Sequence, residues 1–245
     1  MINKLFVLTS FAFLALTNLY GQDELKTSFE SVSGALKQAG TINYQENCPT
    51  CLKESNHKKV LGNLVSVSNH QTIELSVISE EELTQYFNEL ASNDKIPFGY
   101  AYDGCYARAH KMSHILAAKG IITGKAFVEG NLNVVSPLLG KVNWWYHVAP
   151  VVLVKKNGKE IPYVIDPSLF KKPVPFDEWR DSMTGGKAEN LDNQYFTNRF
   201  SYSPNDKLPP PKTSFNEYDL ADTQTVMSTY RSTLSQIVNS RLVKE

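Results

Sequence analysis

The chain has 245 residues, of which 42% are hydrophobic and 11% are aromatic. This content is enough for a packed core and excludes a wholly disordered protein. The 25 basic residues balance the 25 acidic residues, so the formal net charge is zero. A neutral chain of this kind does not favour nucleic acid or an anionic membrane surface as its main partner.

Residues 1–21 have the pattern of a signal peptide. Lys4 is followed by an apolar run over residues 5–16 and then by a short polar stretch that contains Gly21. This order is typical of export signals, and the apolar run is short for a transmembrane helix. The sequence therefore predicts a secreted or periplasmic protein without a membrane anchor.

Residues 22–63 form a predicted N-terminal segment that is either a removable pro-region or an extension of the fold. Helical spacing covers residues 23–39, and the polar loop after it carries Cys48 and Cys51. Because an exported protein meets oxidising conditions, we predict a local disulfide between these cysteines, with redox activity as the alternative. Cys105 then has no intramolecular partner and is free, intermolecular or reactive.

The next elements are a β-hairpin and a helix. Residues 60–67 and 72–78 are predicted strands with a short polar loop between them. Ser79 stands three positions before Glu82, which is the spacing of a capping box at the start of a helix. The predicted buried stripe of this helix comprises Leu83, Tyr86, Phe87 and Leu90.

A second helix is predicted from Cys105 to residue 119, directly after the turn residues Asp103 and Gly104. One of these two residues is the N-cap, so Cys105 lies in the first helical turn. The helix dipole and the unpaired amide groups at this position favour a thiolate and can also hold an oxyanion. Spacings of three and four place the thiol on the inward or cleft-facing side, together with Ala109, Met112 and Leu116.

The Asn157-Gly158 pair is the strongest hairpin signal in the chain, and it separates two apolar strands. If a two-residue turn closes this hairpin, Ala149 faces Asp166, and His147 is the diagonal neighbour of Asp166 on the same face. Such neighbours lie about 7–8 Å apart at the backbone, within reach of a hydrogen bond between imidazole and carboxylate. Pro162 is one of two prolines that allow a bulge and a register slip of one residue.

The remaining segments are predicted as a short strand at 125–128, a loop at 129–141 and mostly loops at 170–211. Residues 177–180 form one predicted helical turn, and residues 218–243 form a final helix.

Cys105, His147 and Asp166 are the candidate catalytic residues. A thiol needs a base to become a thiolate, and the base needs a third group to orient it. Their order along the chain is that of papain-like and transglutaminase-like enzymes, in which a core helix carries the cysteine and a sheet carries the other two. The alternative is a small buried cysteine together with a structural histidine.

Two further groups of residues stand beside the candidate site. Trp145 and Tyr146 precede His147 and are candidate substrate-binding residues, with core packing as the alternative. His110 and His114 have the spacing of two zinc ligands. Because no glutamate stands at the second position and no third ligand follows at a motif-like distance, we predict surface or supporting histidines and no metal.

Four blocks of the sequence resemble the bacterial protein-glutaminases, which are secreted protein-glutamine deamidases. The blocks run from Asp103 to Met112, Phe127 to Leu132, Trp145 to Ala149 and Ile165 to Phe170. The resemblance implies an α+β fold with a transglutaminase/papain-like core, in which a nucleophile-bearing helix packs on an antiparallel sheet. It also implies a Cys–His–Asp triad on Cys105, His147 and Asp166 that hydrolyses the side-chain amide of protein-bound glutamine.

On this interpretation residues 64–206 are the catalytic domain, and residues 207–245 are a proline-rich spacer with a C-terminal helix. The expected partners are proteins or peptides that carry glutamine, and the chain is expected to act as a monomer without a metal or organic cofactor. Transglutaminase-type acyl transfer and peptide-bond cleavage use the same three residues and remain alternatives. A non-enzymatic exported binding module with an inert Cys105 is the third alternative.

Overall fold

The computed structural model describes residues 60–242 of the chain. The predicted signal peptide, the helix predicted at 23–39 and the predicted disulfide between Cys48 and Cys51 lie outside the described residues. The described part has an α+β fold, which confirms the predicted fold class. The predicted domain boundary at residue 64 falls within its first strand.

One mixed sheet forms the centre of the described part. Its strands are β1 (Leu61–Ser66), β2 (Gln71–Ile78), β3 (Gly124–Ser136), β4 (Gly140–Lys156), β5 (Lys159–Val164), β6 (Val174–Pro175) and β7 (Leu191–Asn198). The main order is β1-β2-β4-β3-β7, while β5 pairs with β4 and β6 pairs with β5. All pairs are antiparallel except a short parallel contact between β2 and β4.

Between residues 60 and 242, four α-helices and two short 3-10 helices accompany the sheet. The helices are α1 (Glu80–Ala91), α2 (Cys105–Ala118), α3 (Phe176–Thr184) and α4 (Glu217–Leu242), with 3-10 turns at Ala188–Asn190 and Pro204–Lys207. The predicted cap of α1 is confirmed, because Ser79 Oγ accepts a hydrogen bond of 3.0 Å from the Glu82 amide. Tyr86 was expected in the buried stripe of α1, but it is only half-buried.

The sheet separates α2 from α3. On one face, α3 places Trp179 and Met183 into an apolar core with Ala126 and Val128 of β3. Lys125 has the opposite parity in β3, and its side chain contacts His110 of α2 on the other face. Helix α4 in turn packs against α2. The two helices α2 and α4 therefore form a layer on the face opposite to α3.

The distal half of β3 is a correction to the sequence prediction. Residues 129–136 were predicted as a loop, but they continue β3 after a bulge between Glu129 and Leu132. Gly130 has a φ of 151°, and a Cβ atom there would lie 2.1 Å from the carbonyl oxygen of Asn190. The bulge shifts the inward and outward alternation of the strand, so the pattern that identifies a strand in the sequence is broken at this point.

The segment after residue 170 contains more regular structure than the sequence predicts. Strand β7 lies at an edge of the sheet beside β3, and among its residues only Tyr195 and Thr197 are buried. A mostly polar edge strand has little hydrophobic pattern to reveal it. Helix α3 is also longer than the predicted single turn, and it ends at Gly185 in the left-handed conformation with a φ of 65°.

Candidate active site

Cys105 is the first residue of α2, as predicted. The N-cap is Gly104, whose φ of 85° is a left-handed conformation that glycine adopts without steric cost. Asp103 steadies this turn, because its Oδ1 accepts a hydrogen bond of 2.6 Å from the Gly104 amide. Cys105 forms no disulfide within the described residues, and only 8% of its surface is exposed. The thiol is therefore held at the positive end of a helix in a nearly dry position.

His147 and Asp166 form a buried hydrogen-bonded pair. The Nε2 atom of His147 lies 2.8 Å from Oδ2 of Asp166. The hairpin that carries them has the predicted register, since Lys156 pairs with Lys159 across the turn and Val151 pairs with Val164. The two prolines in the hairpin therefore cause no slip, and the diagonal arrangement expected from the sequence is confirmed.

The turn between β4 and β5 fixes this register. Asn157 and Gly158 have φ values of 53° and 76°, the left-handed values of the turn type that suits a twisted two-residue hairpin. Pairing continues one residue beyond β5, where the Ile165 amide donates to the Pro150 carbonyl at 2.9 Å. Asp166 is the next residue, so its position follows directly from the length of the hairpin.

Asp166 accepts hydrogen bonds on both of its carboxylate oxygens. Trp179 Nε1 donates to Oδ2 at 2.9 Å, and the Ser168 amide donates to Oδ1 at 3.1 Å. The Ser168 hydroxyl also donates to Oδ1. Burial alone would raise the pKa of Asp166, but His147, Ser168 and Trp179 outweigh it and lower the pKa to about 2. The carboxylate therefore stays ionised at neutral pH and keeps the imidazole in one orientation.

The second ring nitrogen of His147 is available to the thiol. Since Nε2 bonds to Asp166, the Nδ1 atom is the ring nitrogen left for Cys105, and within the described residues it makes no other hydrogen bond. Burial lowers the pKa of His147, but the Asp166 carboxylate and Cys105 outweigh it and raise the pKa to about 9. The imidazole is therefore charged at neutral pH and can balance a thiolate.

Two tryptophans enclose the imidazole ring. Trp144 stacks on His147 with ring centroids 4.5 Å apart, and Trp179 lies at 5.5 Å. Trp144 Nε1 also donates to the Ala101 carbonyl at 2.8 Å, which ties β4 to the loop that leads into α2. These rings limit the movement of the imidazole and keep water away from it.

Two of these supporting residues, Trp179 and Ser168, were not identified from the sequence, whereas Trp144 was expected to lie in the core or line a cleft beside His147. Ser168 had a usable signal, because a serine two residues after an aspartate is typical of an Asx turn. Trp179 comes from α3, whose length was underestimated, and its contact with Asp166 follows only from the packing of α3 on the sheet.

Trp145 and Tyr146, the predicted substrate-binding residues, occupy different environments. Tyr146 is only 5% exposed, and its hydroxyl group interacts with Cys105. Burial, together with the charge of Cys105, raises the pKa of Tyr146 well above its ordinary range, so the hydroxyl is a hydrogen-bond donor at neutral pH. Trp145 is 40% exposed and lies at the surface next to this site. Tyr146 is thus placed beside the sulfur, whereas Trp145 is open to solvent.

His110 and His114, the two histidines with zinc-ligand spacing, lie in different environments. Among the described residues, no group of three or more His, Cys, Asp or Glu side chains could hold a metal ion. His110 is fully buried, so of the two predicted roles, surface or supporting, the surface role does not apply to it. Its Nδ1 lies 3.0 Å from Lys125 Nζ, and its ring meets Tyr202 edge to face. His114 is half-buried and contacts Phe215.

The chain is similar to known glutaminases. A family model described as Glutaminase matches residues 83–183, a range that contains Cys105, His147 and Asp166. A crystal structure of protein-glutaminase is 30% identical, with a TM-score of 0.53, and the match covers 64% of this chain and 90% of that chain. The chain belongs to the protein-glutaminase family.

Other solved protein-glutaminase structures agree with this assignment. The NMR structure of protein-glutaminase from Chryseobacterium proteolyticum is 31% identical, with a TM-score of 0.52 and coverage of 62% of this chain and 86% of that chain. A crystal structure of pro-protein-glutaminase is 30% identical, with a TM-score of 0.52 and coverage of 64% and 59%. No curated protein sequence matches the chain. Within the described residues of this chain, no helix is both long and apolar enough to span a membrane.

Proposed function

We propose that this member of the protein-glutaminase family hydrolyses the side-chain amide of protein-bound glutamine, with Cys105 as nucleophile. His147 transfers protons, and Asp166 orients and stabilises the imidazole. The observation that carries the proposal is the buried His147, which bonds to Asp166 through one ring nitrogen and offers the other to a thiol at the start of a helix. This arrangement supplies the three groups that cysteine amidohydrolysis needs, namely a nucleophile, a proton carrier next to it and a carboxylate that orients the proton carrier.

The first half-reaction forms a thioester. The Cys105 thiolate attacks the carboxamide carbon of glutamine, a C–S bond forms, and the carbonyl electron pair moves to oxygen. Backbone amides in the first turn of α2 stabilise this oxyanion. The imidazolium of His147 then gives its proton to the amide nitrogen, the C–N bond breaks, and ammonia leaves.

The second half-reaction releases glutamate. A water molecule gives a proton to neutral His147 as its oxygen attacks the thioester carbon. The tetrahedral intermediate collapses with cleavage of the C–S bond, which restores the Cys105 thiolate and the charged imidazole. Asp166 takes no proton in either step, because hydrogen bonds from His147, Ser168 and Trp179 stabilise its carboxylate. The sum of the two steps is glutamine plus water giving glutamate plus ammonia.

The burial of the thiol favours a long, narrow substrate group. With only 8% of Cys105 exposed, the reacting atom must enter on an extended side chain while the rest of the substrate stays outside. A glutamine side chain on a protein surface has this shape. The exposed indole of Trp145 is then placed to contact the substrate near the entrance. We propose, from the N-terminal pattern, that the protein is exported. We also propose that it acts on such substrates as a monomer.

Mass spectrometry of a model protein after incubation in ¹⁸O-labelled water tests this proposal. Hydrolysis replaces glutamine amides by labelled carboxyl groups and releases ammonia, whereas the Cys105→Ala variant leaves the substrate unchanged. A labelled primary amine added to the same reaction detects acyl transfer, and shortened peptides detect peptidase activity. Incorporation of the amine without hydrolysis, cleavage of the backbone, or equal activity of the Cys105→Ala variant contradicts the proposal.

A further inference from the structure

The C-terminal helix α4 contacts the turn that presents Cys105. The hydroxyl group of Tyr230, on α4, donates to Oδ2 of Asp103 at 2.6 Å, across 127 positions in the chain. The other oxygen of the same carboxylate accepts from the Gly104 amide at 2.6 Å. Asp103 thus joins α4 to the N-cap of α2 through its two oxygens.

The Tyr230 ring also packs directly on the N-cap. A Cβ atom added to Gly104 would lie 2.8 Å from two carbon atoms of this ring. Tyr100 also contacts the Tyr230 ring, and the two rings stack with centroids 4.4 Å apart and planes 25° apart. Tyr230 therefore fills the space next to Gly104 and leaves the turn little freedom to move.

Arg108 closes this set of contacts from within α2. Its Nη1 donates to the Tyr100 carbonyl at 2.9 Å and to the Asp103 carbonyl at 2.8 Å, and the side chain is almost fully buried. The loop is thus held by a side chain of α2 on one side and by Tyr230 of α4 on the other. Both sets of contacts restrain residues 100–104, which immediately precede the nucleophile.

We propose that Tyr230 is a positioning residue for Cys105. Its hydrogen bond to Asp103 and its contact with Gly104 fix the direction of the first turn of α2, and hence the direction of the thiol relative to His147. The inference rests on the proposed function in one respect, namely that Cys105 is the nucleophile. It also makes α4 a part of the catalytic unit, although the sequence places this helix in a separate C-terminal segment.

The Tyr230→Phe variant tests the proposal, because it keeps the ring stacked on Tyr100 and removes only the hydroxyl group. Tyr218→Phe is the matched control, since Tyr218 lies on the same helix and is 88% exposed. We expect Tyr230→Phe to lower kcat for ammonia release by about tenfold or more, the order associated with loss of a hydrogen bond to a carboxylate. KM is expected to stay within about twofold, because a misdirected thiol affects the chemical step and not substrate binding.

Alkylation of Cys105 by iodoacetamide gives a readout that does not depend on turnover. Peptide mass spectrometry measures the rate at Cys105 between pH 5 and pH 10, and the thermal midpoint is recorded for the same samples. We expect the rate–pH profile of Tyr230→Phe to differ from those of the wild type and Tyr218→Phe. An unchanged profile and kcat, with or without a lower thermal midpoint, would show that Tyr230 is only structural and overturns the proposal.

A double-mutant cycle that combines Tyr230→Phe with Asp103→Asn tests whether Tyr230 acts on Cys105 through Asp103. If Tyr230 acts through Asp103, the double variant loses no more kcat than the worse of the two single variants. Fully additive losses contradict this route. Failure of the wild type to release ammonia from any protein would overturn the proposed function, whereas the alkylation profile would still decide whether Tyr230 positions the thiol.

Discussion

His147 and Asp166 are joined by a buried hydrogen bond of 2.8 Å between Nε2 and Oδ2, at the end of a hairpin that fixes both of their positions. This pair sets the charge of the imidazole, because removal of the carboxylate would leave burial as the main influence on the ring. Burial without a partner favours neutral histidine. The first two predictions follow from this relationship.

Asp166→Asn is expected to lower kcat by about ten-thousandfold, the order seen when the orienting carboxylate of a triad becomes an amide. The amide preserves the volume of the side chain, but its NH2 group replaces one of the two acceptor oxygens that bond to His147, Trp179 and Ser168. It therefore loses part of this hydrogen bonding and no longer stabilises a charged imidazole. The pKa of His147 should then fall from about 9. The pH profile of kcat/KM measures both effects. A variant that retains full activity with an unchanged profile would show that Asp166 does not control the imidazole.

The stability of the protein should depend on pH through the same pair. The folded pKa of His147 is raised from 6.5 to about 9, so its contribution to stability is complete below about pH 6.5 and is lost as the pH rises through about 9. The folded pKa of Asp166 is lowered from 3.8 to about 2, so its contribution is complete above about pH 4 and is lost as the pH falls through about 2. The pair therefore stabilises the fold most between about pH 4 and pH 6.5.

Urea unfolding of the wild type and of His147→Gln from pH 6 to pH 10 measures the alkaline half of this prediction. The stability difference between the two proteins should shrink as the pH rises, because only the wild type loses the charged imidazole. His70→Asn is the matched control, since His70 is an exposed histidine in a turn. A difference between the wild type and His147→Gln that stays constant across this range would contradict the raised pKa.

Tyr146 and Trp145 should affect different kinetic constants. Tyr146→Phe removes the hydroxyl beside Cys105 and is expected to lower kcat by about tenfold, the order of one hydrogen bond near the reacting atoms. Trp145→Ala removes an exposed ring and is expected to raise KM for a protein substrate while kcat changes little. Steady-state kinetics of ammonia release separates the two effects. An increase in KM for Tyr146→Phe with unchanged kcat would place its role in binding instead.

The sequence predicted the hairpin of His147 and Asp166 well, because an Asn-Gly turn fixes the register of both strands through local geometry. The N-cap of α2 was also predictable from a glycine directly before a run of helix-forming residues. The partners of these residues were not predictable in the same way. Trp179 reaches Asp166 from α3, and Tyr230 reaches Asp103 from α4, so both contacts depend on how helices pack on the sheet. Local pattern contains no information about such distant pairs.

Gly104→Ala should reduce both stability and activity, for two separate reasons. The left-handed φ of 85° strains any residue with a Cβ, and that Cβ would also meet the Tyr230 ring at 2.8 Å. Gly140→Ala is the matched control, because Gly140 has a φ of 75° but no atom within 4 Å of the added Cβ. The control therefore carries the backbone strain alone, which costs roughly 1 kcal/mol.

The comparison of the two variants isolates the contact with Tyr230. Gly104→Ala should lose more free energy of unfolding than Gly140→Ala, and it alone should lower kcat, since the methyl group displaces the turn before Cys105. Combining Gly104→Ala with Tyr230→Leu, which shortens the opposing side chain, should recover part of the stability but not the activity, because the hydrogen bond to Asp103 is absent. Equal losses of stability in the two glycine variants, with full activity in both, would mean that the N-cap tolerates a shift and that the thiol is positioned by other contacts.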